Sequence, residues 1–220
     1  MVTDAEGRFA VGWARGAIER HLAVAAPDDA AAPLAGPASP PPLFQERRGV
    51  FVTLSHRRSG DLRGCIGYPE PILPLRVGLP RAAVAAATQD PRFPPVTPSE
   101  WAELRVEVSV LTPPVPLLVE PREDLPEAIV VGRDGLLVEA DGTSGLLLPQ
   151  VAVEWGWSAR AFLDAACEKA GLPPDAWLDQ GTRVHAFRAD VFHETSPGGP
   201  VERVGTVTPP APAARDGRRR

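Results

Sequence analysis

Leu62-Arg63-Gly64-Cys65-Ile66-Gly67 is the segment from which the rest of the chain is most readily interpreted. It has the composition of a β-strand, although glycine inside a strand loses packing contacts and backbone entropy. Glycines at such positions indicate that a second backbone, a bulge or a ligand approaches closely. We therefore take Gly64 and Gly67 as candidate binding positions.

An upstream run of β-branched and aromatic residues, followed by turn residues, predicts a β-hairpin with this segment. If the turn is centred on Ser59-Gly60, the antiparallel register pairs Leu54 with Cys65 and His56 with Arg63. The same register places His56, Arg63 and Cys65 on one face of the hairpin. A loop one residue longer or shorter would break this pairing.

Cys65 is the candidate nucleophile of this face. A guanidinium at Arg63 would lower the pKa of the thiol, and His56 would accept its proton, which is the setting that a reactive cysteine needs. The alternative is that Cys65 is a small buried hydrophobic residue, as cysteines commonly are. The residue pattern leaves both interpretations open.

A second strand supplies a candidate carboxylate. Residues 104–111 alternate between apolar and polar side chains, which predicts a half-buried antiparallel strand with Glu107 at its middle. Glu107 then either faces solvent or pairs with an arginine, and Arg63 and Arg92 are the first partners to consider. A carboxylate held between arginines stays ionised, so Glu107 would serve better as an orienting group than as a general acid.

The proline-rich segment 90–95 ends the helix predicted before it, because proline lacks a backbone donor and restricts the preceding residue. It presents Asp90, Arg92 and Phe93 on a rigid loop, and we take these three as candidate binding residues. The alternative is a local ion pair between Asp90 and Arg92 that holds the loop. Gln150, where a predicted strand meets a helix, is a further candidate binding residue near a cleft.

The remaining pattern predicts helices, a smaller meander and a final strand. Helices are expected over residues 4–26, 75–88 and 159–170, a three-stranded meander within about 126–150, and one long strand over 183–194. Residues 27–42 are expected to form a proline-rich loop and residues 196–220 a disordered tail. His185 and His193 share a face of the last strand, but no second pair of ligands supports them, so no metal site is predicted.

The composition argues against several classes of function. A net charge of −5 over 220 residues disfavours a protein bound mainly through nucleic-acid phosphates. Two cysteines far apart in sequence, with no secretory leader and no long apolar run, lead us to expect a cytoplasmic protein without a membrane span. Lys169 is the only lysine and asparagine is absent, which argues against Schiff-base catalysis and a Cys-His-Asn arrangement.

Several motifs in a fixed order resemble the AMMECR-one domain family. They are segment 62–67, Asp90-Pro91-Arg92-Phe93-Pro94-Pro95-Val96, Val106-Glu107-Val108-Ser109-Val110-Leu111, Gly132-Arg133-Asp134-Gly135, Leu146-Leu147-Leu148-Pro149-Gln150-Val151-Ala152 and Lys169-Ala170-Gly171-Leu172. The resemblance runs from about Phe9 to Glu194. It implies an α+β domain over residues 4–195, with a mainly antiparallel sheet, flanking helices and two interlocked subdomains. Similar prokaryotic proteins are grouped with a Memo-like protein and a radical S-adenosylmethionine protein, which implies a shared pathway.

Three functions follow as hypotheses. The first is an enzyme, or an enzyme component, that acts on an unidentified small molecule in a cleft around Cys65, with the reaction and any cofactor unknown. The second is a binding or adaptor module for a partner such as the Memo-like protein, with Arg63, Arg92 and Phe93 as anchors. The third, a nucleic-acid-associated regulator, depends on arginine content alone, and the acidic charge argues against it.

Overall fold

The computed structural model describes residues 1–24 and 39–204 of the chain. The described residues divide into two compact units, one within 1–113 and 190–204 and the other within 114–189. Each unit contains a mainly antiparallel sheet with helices packed on it, which confirms the predicted α+β class.

The helices and strands are named here in chain order. The helices are α1 (Asp4–Val24), α2 (Leu75–Thr88), α3 (Pro98–Trp101), α4 (Pro149–Glu154) and α5 (Ala159–Lys169), with short 3₁₀ helices over Pro42–Gln45, Arg122–Ala128 and Ala176–Leu178. The strands are β1 (Val50–His56), β2 (Leu62–Tyr68), β3 (Leu104–Leu111), β4 (Val115–Pro116), β5 (Gly135–Ala140), β6 (Thr143–Leu147), β7 (Arg183–Phe187), β8 (Ala189–Glu194) and β9 (Val201–Arg203).

The sheet of the first unit has the strand order β2-β1-β3-β8-β9, so that β2 lies at one edge. Alternation along β1 points Val50, Val52 and Leu54 into a core shared with α1 and α2, where all three are fully buried. Each such side chain contributes about 1.5–3 kcal/mol through its removal from water. The alternate residues of β1 and β3 lie on the opposite face of the sheet, where most are only half-buried.

The predicted hairpin forms, but its predicted register is wrong by one residue. Thr53 lies opposite Cys65 and Leu54 lies opposite Gly64, after which the register shifts and Ser55 lies opposite Leu62. This β-bulge leaves one extra residue in β2, and a shift of one residue moves a side chain to the other face. Cys65 consequently lies on the face of the sheet that points away from the helical core.

The two glycines of β2 are explained by close packing inside the first unit. A Cβ atom on Gly64 would collide with the backbone carbonyl oxygen of Ala86 in α2. A Cβ atom on Gly67 would collide with the ring of Phe51 on the neighbouring strand. Gly64 therefore lets a helix backbone approach the sheet, and Gly67 leaves room for a cross-strand aromatic ring.

The second unit has a four-stranded sheet in the order β4-β7-β5-β6. Helix α5 packs on this sheet, and Phe162, Cys167 and Trp177 are fully buried in its core. The predicted meander is wrong in one strand: β5 pairs with β6 and β7, whereas residues 129–131 form no strand. The predicted subdomain of about 126–150 covers only part of this unit.

The predicted long strand over 183–194 is also wrong, because the chain changes sheet at Arg188. Strand β7 joins the sheet of the second unit and β8 joins that of the first, so His185 and His193 lie in different sheets. Residues 196–204, predicted to be disordered, contain β9, which pairs with β8. Residues 205–220 and residues 25–38, which include most of the predicted proline-rich loop, lie outside the described residues.

Candidate functional site

A row of polar side chains crosses the first sheet on the face that points away from the helices. Thr53 on β1 lies directly opposite Cys65 on β2 and directly opposite Glu107 on β3. On β8, His193 alternates with the buried Phe192, which packs in the helical core. Side chains opposite one another on neighbouring strands lie within contact range, so this row brings a thiol, a hydroxyl and a carboxyl together.

A cavity of about 250 Å³ opens on this face. The polar side chains that line it from this face are Thr53, Ser55, Arg105, Glu107 and His193. They come from β1, β3 and β8, and the turn of the hairpin closes one side. All of the lining residues belong to the first unit, so that unit forms the cavity by itself.

The Cys65 thiol lies beside this cavity and is held in its protonated form. The Thr53 Oγ1 hydroxyl donates a hydrogen bond to Cys65 Sγ over 3.3 Å. Burial raises the pKa of the Cys65 thiol, and the nearby Glu107 and Asp90 carboxylates raise it further, against the lowering effects of Thr53 and Arg92. The predicted lowering of this pKa by Arg63 is therefore wrong, because the bulge takes Arg63 away from the thiol.

We expect Cys65 to be alkylated slowly at neutral pH, with a midpoint above the ordinary thiol pKa of about 8.5. The rate is measured by iodoacetamide labelling as a function of pH, followed by mass spectrometry of the cysteine peptides. Cys167 is the internal control, because it is fully buried and burial raises its pKa to about 11. Rapid labelling of Cys65 at pH 7 would contradict the protonated thiol.

The environment of the Glu107 carboxyl differs from the predicted one, in which arginines keep it ionised. Burial raises its pKa, and the positive charges of His193 and Arg105 only partly oppose that effect. The predicted arginine partners are wrong, because Arg63 pairs with Glu100 and Arg92 pairs with Asp90. Glu107 is therefore easier to protonate than an ordinary glutamate, which suits a proton donor better than a fixed anion.

Asp90 and Arg92 complete the exposed edge of β2. Asp90 Oδ2 accepts a hydrogen bond from the Cys65 backbone N–H over 2.8 Å, and Arg92 Nη2 lies 3.5 Å from the Cys65 carbonyl oxygen. Arg92 Nη2 also donates to Asp90 Oδ2 over 2.7 Å, and it holds the pKa of that buried carboxyl below its usual range. The local ion pair considered as an alternative is thus confirmed. The pair supplies the acceptor and donor that a neighbouring strand would otherwise provide.

Arg63, the extra residue of the bulge, is 7 % exposed and is engaged inside the first unit. Its guanidinium pairs with Glu100 and donates to the Pro94 carbonyl oxygen over 2.9 Å. The ring of Phe93 contacts both Arg63 and Arg92, with each guanidinium carbon 5.6 Å from the ring centroid. These contacts give Arg63 and Phe93 a role in holding the loop onto the sheet.

The predicted face of His56, Arg63 and Cys65 does not form. His56 lies at the end of β1 opposite Leu104, whereas the hydrogen bond from Arg63 lowers the pKa of Glu100. Gln150 is exposed on α4 in the second unit. The binding roles assigned to Asp90, Arg92, Phe93 and Gln150 stay predictions.

Arg105 was not predicted as a site residue, and His193 was considered only as a metal ligand paired with His185. The alternation along β3 already placed Arg105 on the same face as Glu107, so a usable signal was present. For His193 there was no comparable signal, because its proximity to Glu107 depends on β8 being the next strand after β3.

No helix among residues 1–24 and 39–204 is long and apolar enough to cross a bilayer. Within the same residues, no group of three or more histidine, cysteine, aspartate or glutamate side chains is arranged to hold a metal ion.

Comparison with known proteins gives consistent matches over most of the chain. The family model described as AMMECR1 matches residues 11–192. A protein of Methanothermobacter thermautotrophicus is 56% identical over 193 residues, which cover 86% of this chain and 94% of that protein. The crystal structure of PH0010 from Pyrococcus horikoshii, described as an uncharacterised protein, is 49% identical with a TM-score of 0.74 and covers 92% of this chain and 98% of that one.

Proposed function

The chain belongs to the AMMECR1 family, and from this premise we propose that it is an enzyme, or an enzyme component, that exchanges a proton with a small molecule. The proposed site is the cavity on the open face of the first sheet. Glu107 is the proposed proton donor and acceptor, and Cys65 and Thr53 are the proposed hydrogen-bonding groups beside it.

One observation carries this proposal: a half-buried carboxyl with no ion-pair partner lines a cavity. Among the described residues, no arginine, lysine or histidine nitrogen lies within ion-pairing distance of Glu107. Purely structural carboxylates of this sheet are instead paired, as Glu194 is with Arg15. A carboxyl whose pKa is raised by burial is the usual form of a general acid.

The neutral Cys65 thiol has a different proposed role from the one expected. A protonated thiol is a poor nucleophile, because the thiolate is the attacking species. We assign Cys65 the role of a weak donor that orients a bound molecule, with its position maintained by Thr53. A bound molecule that withdraws the thiol proton would restore the nucleophilic role.

Nuclear magnetic resonance titration of the Glu107 carboxyl carbon tests the proposal. We expect its midpoint above the ordinary glutamate value of about 4.3. Because the folded state favours the neutral form, stability falls as the pH rises from that value through the folded pKa. Glu107→Gln should therefore be more stable than the natural chain at pH 7, and this gain should vanish in acid.

Glu70→Gln is the matched control, because it removes one negative charge from an exposed side chain. That variant should leave the stability profile unchanged. A Glu107 midpoint at the ordinary value, with no pH-dependent gain in Glu107→Gln, would refute the assignment of Glu107 as the acid. An untargeted search for metabolites bound to the protein from its own cells would then show whether the cavity binds any ligand.

The alternative of an adaptor for a Memo-like or radical S-adenosylmethionine protein has less support. Of its three proposed anchors, Arg63 is buried against Glu100 and Phe93 is half-buried in contact with Arg63 and Arg92. Of the three, only the Arg92 side chain, 54 % exposed, has the exposure that an interface anchor needs. Co-purification with the Memo-like protein, lost on Arg92→Ala, would favour this alternative over the enzyme.

A further inference from the structure

We infer that the substrate of this cavity carries a single carboxylate and that Arg105 binds it. The inference rests on the proposed function and adds the chemical class of the ligand. Its principal observation is a cationic side chain in the cavity wall whose hydrogen-bonding capacity is unused.

Arg105 lines the cavity, yet its Nε atom is buried and donates no hydrogen bond to any described residue. Within the described residues, no carboxylate lies within ion-pairing distance of this guanidinium. A buried donor without an acceptor costs free energy, so most such groups in folded proteins are satisfied. The terminal nitrogens of Arg105 are not buried in this way and donate to no described residue, so an oxyanion in the cavity can accept hydrogen bonds from them.

Neighbouring arginines of the first unit do not share this property. Arg63 is paired with Glu100, Arg92 with Asp90 and Arg15 with Glu194. Each of these ion pairs joins two segments of the first unit or stabilises a loop. Arg105 differs because its available partners are the solvent and whatever occupies the cavity.

The charge balance of the cavity favours an anion of one charge. Glu194 also lines the cavity, but Arg15 and the Val106 backbone N–H already satisfy its carboxylate. Glu107 is displaced toward its neutral form by burial, which raises its pKa. Two carboxyl groups, those of Glu107 and Glu194, line the same wall as Arg105, so a ligand of one negative charge suits this wall better than a phosphate dianion.

The geometry of the wall also suits a carboxylate. A guanidinium presents parallel N–H groups that match the two oxygens of a carboxylate. The hydroxyl of Ser55 lies on the same wall and can donate to a remaining lone pair. A cavity of about 250 Å³ limits the ligand to a small molecule.

Binding of an anion should be coupled to uptake of a proton. The charged or titratable groups that act on Glu107 are Arg105 on its own strand, His193 on β8 and Cys65 on β2. A bound carboxylate adds a negative charge next to Glu107 and so favours its protonated form. Acetate should therefore bind more tightly as the pH is lowered toward the midpoint of the Glu107 titration.

The test is a titration of the natural chain with sodium acetate at constant ionic strength, followed through the arginine Nε–H resonances. We expect a saturable shift of the Arg105 Nε–H signal with a Kd of about 1–10 mM, which is reasonable for so small a ligand. Arg105→Lys should weaken acetate binding about tenfold or more, because a lysine lacks the parallel donors. Arg58→Lys is the matched control in the exposed hairpin turn and should bind as the natural chain does.

Inorganic phosphate under the same conditions should bind more weakly than acetate. Tighter phosphate binding, an Arg105 signal that does not move, or equal acetate affinity in Arg105→Lys would each overturn the inference. The measurement on the natural chain stands even if Arg105→Lys does not fold. If Glu107 titrates with a raised midpoint but acetate does not bind, the inferred ligand class is wrong and the proposed role of Glu107 as the acid stands. If acetate binds but Glu107 titrates at its ordinary value, only the role of Glu107 is wrong.

Discussion

Gly64→Val should destabilise the protein by about 3 kcal/mol or more, because overpacking a tight interface displaces backbone as well as side chains. The new side chain would be driven into the Ala86 carbonyl oxygen, which belongs to the rigid backbone of α2. Domains of this kind are stable by about 5–15 kcal/mol, so a large part of the total would be lost. The free energy of unfolding is measured by urea denaturation followed by circular dichroism.

Two further variants separate the steric clash with Ala86 from the backbone effect of replacing a glycine. Gly64→Ala adds only the Cβ atom, so its free energy of unfolding should lie between that of Gly64→Val and that of the natural chain. Gly12→Ala is the control, because Gly12 is exposed within α1 and has no atom within 4 Å of the new Cβ. That change should stabilise the protein by about 0.5–1 kcal/mol through helix propensity. Tolerance of Gly64→Val would show that α2 does not press on β2 as described.

Asp90→Ala should cost about 2–3 kcal/mol, because it leaves the Cys65 N–H without an acceptor at the edge of the sheet. It also separates Arg92 from its partner, although the exposed Arg92 side chain can turn to solvent. Asp90→Asn keeps one acceptor and should lose less. Asp61→Asn, in the exposed turn, is the matched control and should change stability little.

The Asp90 effect should depend on pH in a defined direction. Arg92 lowers the pKa of the folded Asp90 carboxyl, so the ionised form is favoured by folding. Its stabilising contribution is fully present above the unfolded aspartate value of about 3.9 and is lost as the pH falls below it. The difference between Asp90→Asn and the natural chain, measured by urea denaturation at several pH values, should therefore shrink in acid. A constant difference would indicate that charge contributes nothing at Asp90.

The local sequence pattern was sufficient to predict several of the secondary-structure elements. The period of two along residues 104–111 correctly assigned which side chains enter the core, because alternation depends only on strand geometry. The existence of the hairpin and the helix over 75–88 were also predicted correctly, and the ion pair of Asp90 with Arg92 was among the alternatives, since neighbours in sequence make all three. Family membership followed from the order of the motifs.

The site itself required contacts between residues distant in sequence. Because of the bulge at Arg63, Cys65 lies on the face opposite to the one predicted. No residue near the turn indicates that a bulge forms there. The strand order places His193 beside Glu107, and α2 packs on Gly64, although each pair is widely separated along the chain. Successive side chains of a strand point to opposite faces of the sheet. An error of one position in register therefore gives each side chain a different set of contacts. For this reason periodicity identified the strands, whereas Glu107, Arg105 and His193 came to line one cavity, with the Cys65 thiol beside it, only through the packing of the folded chain.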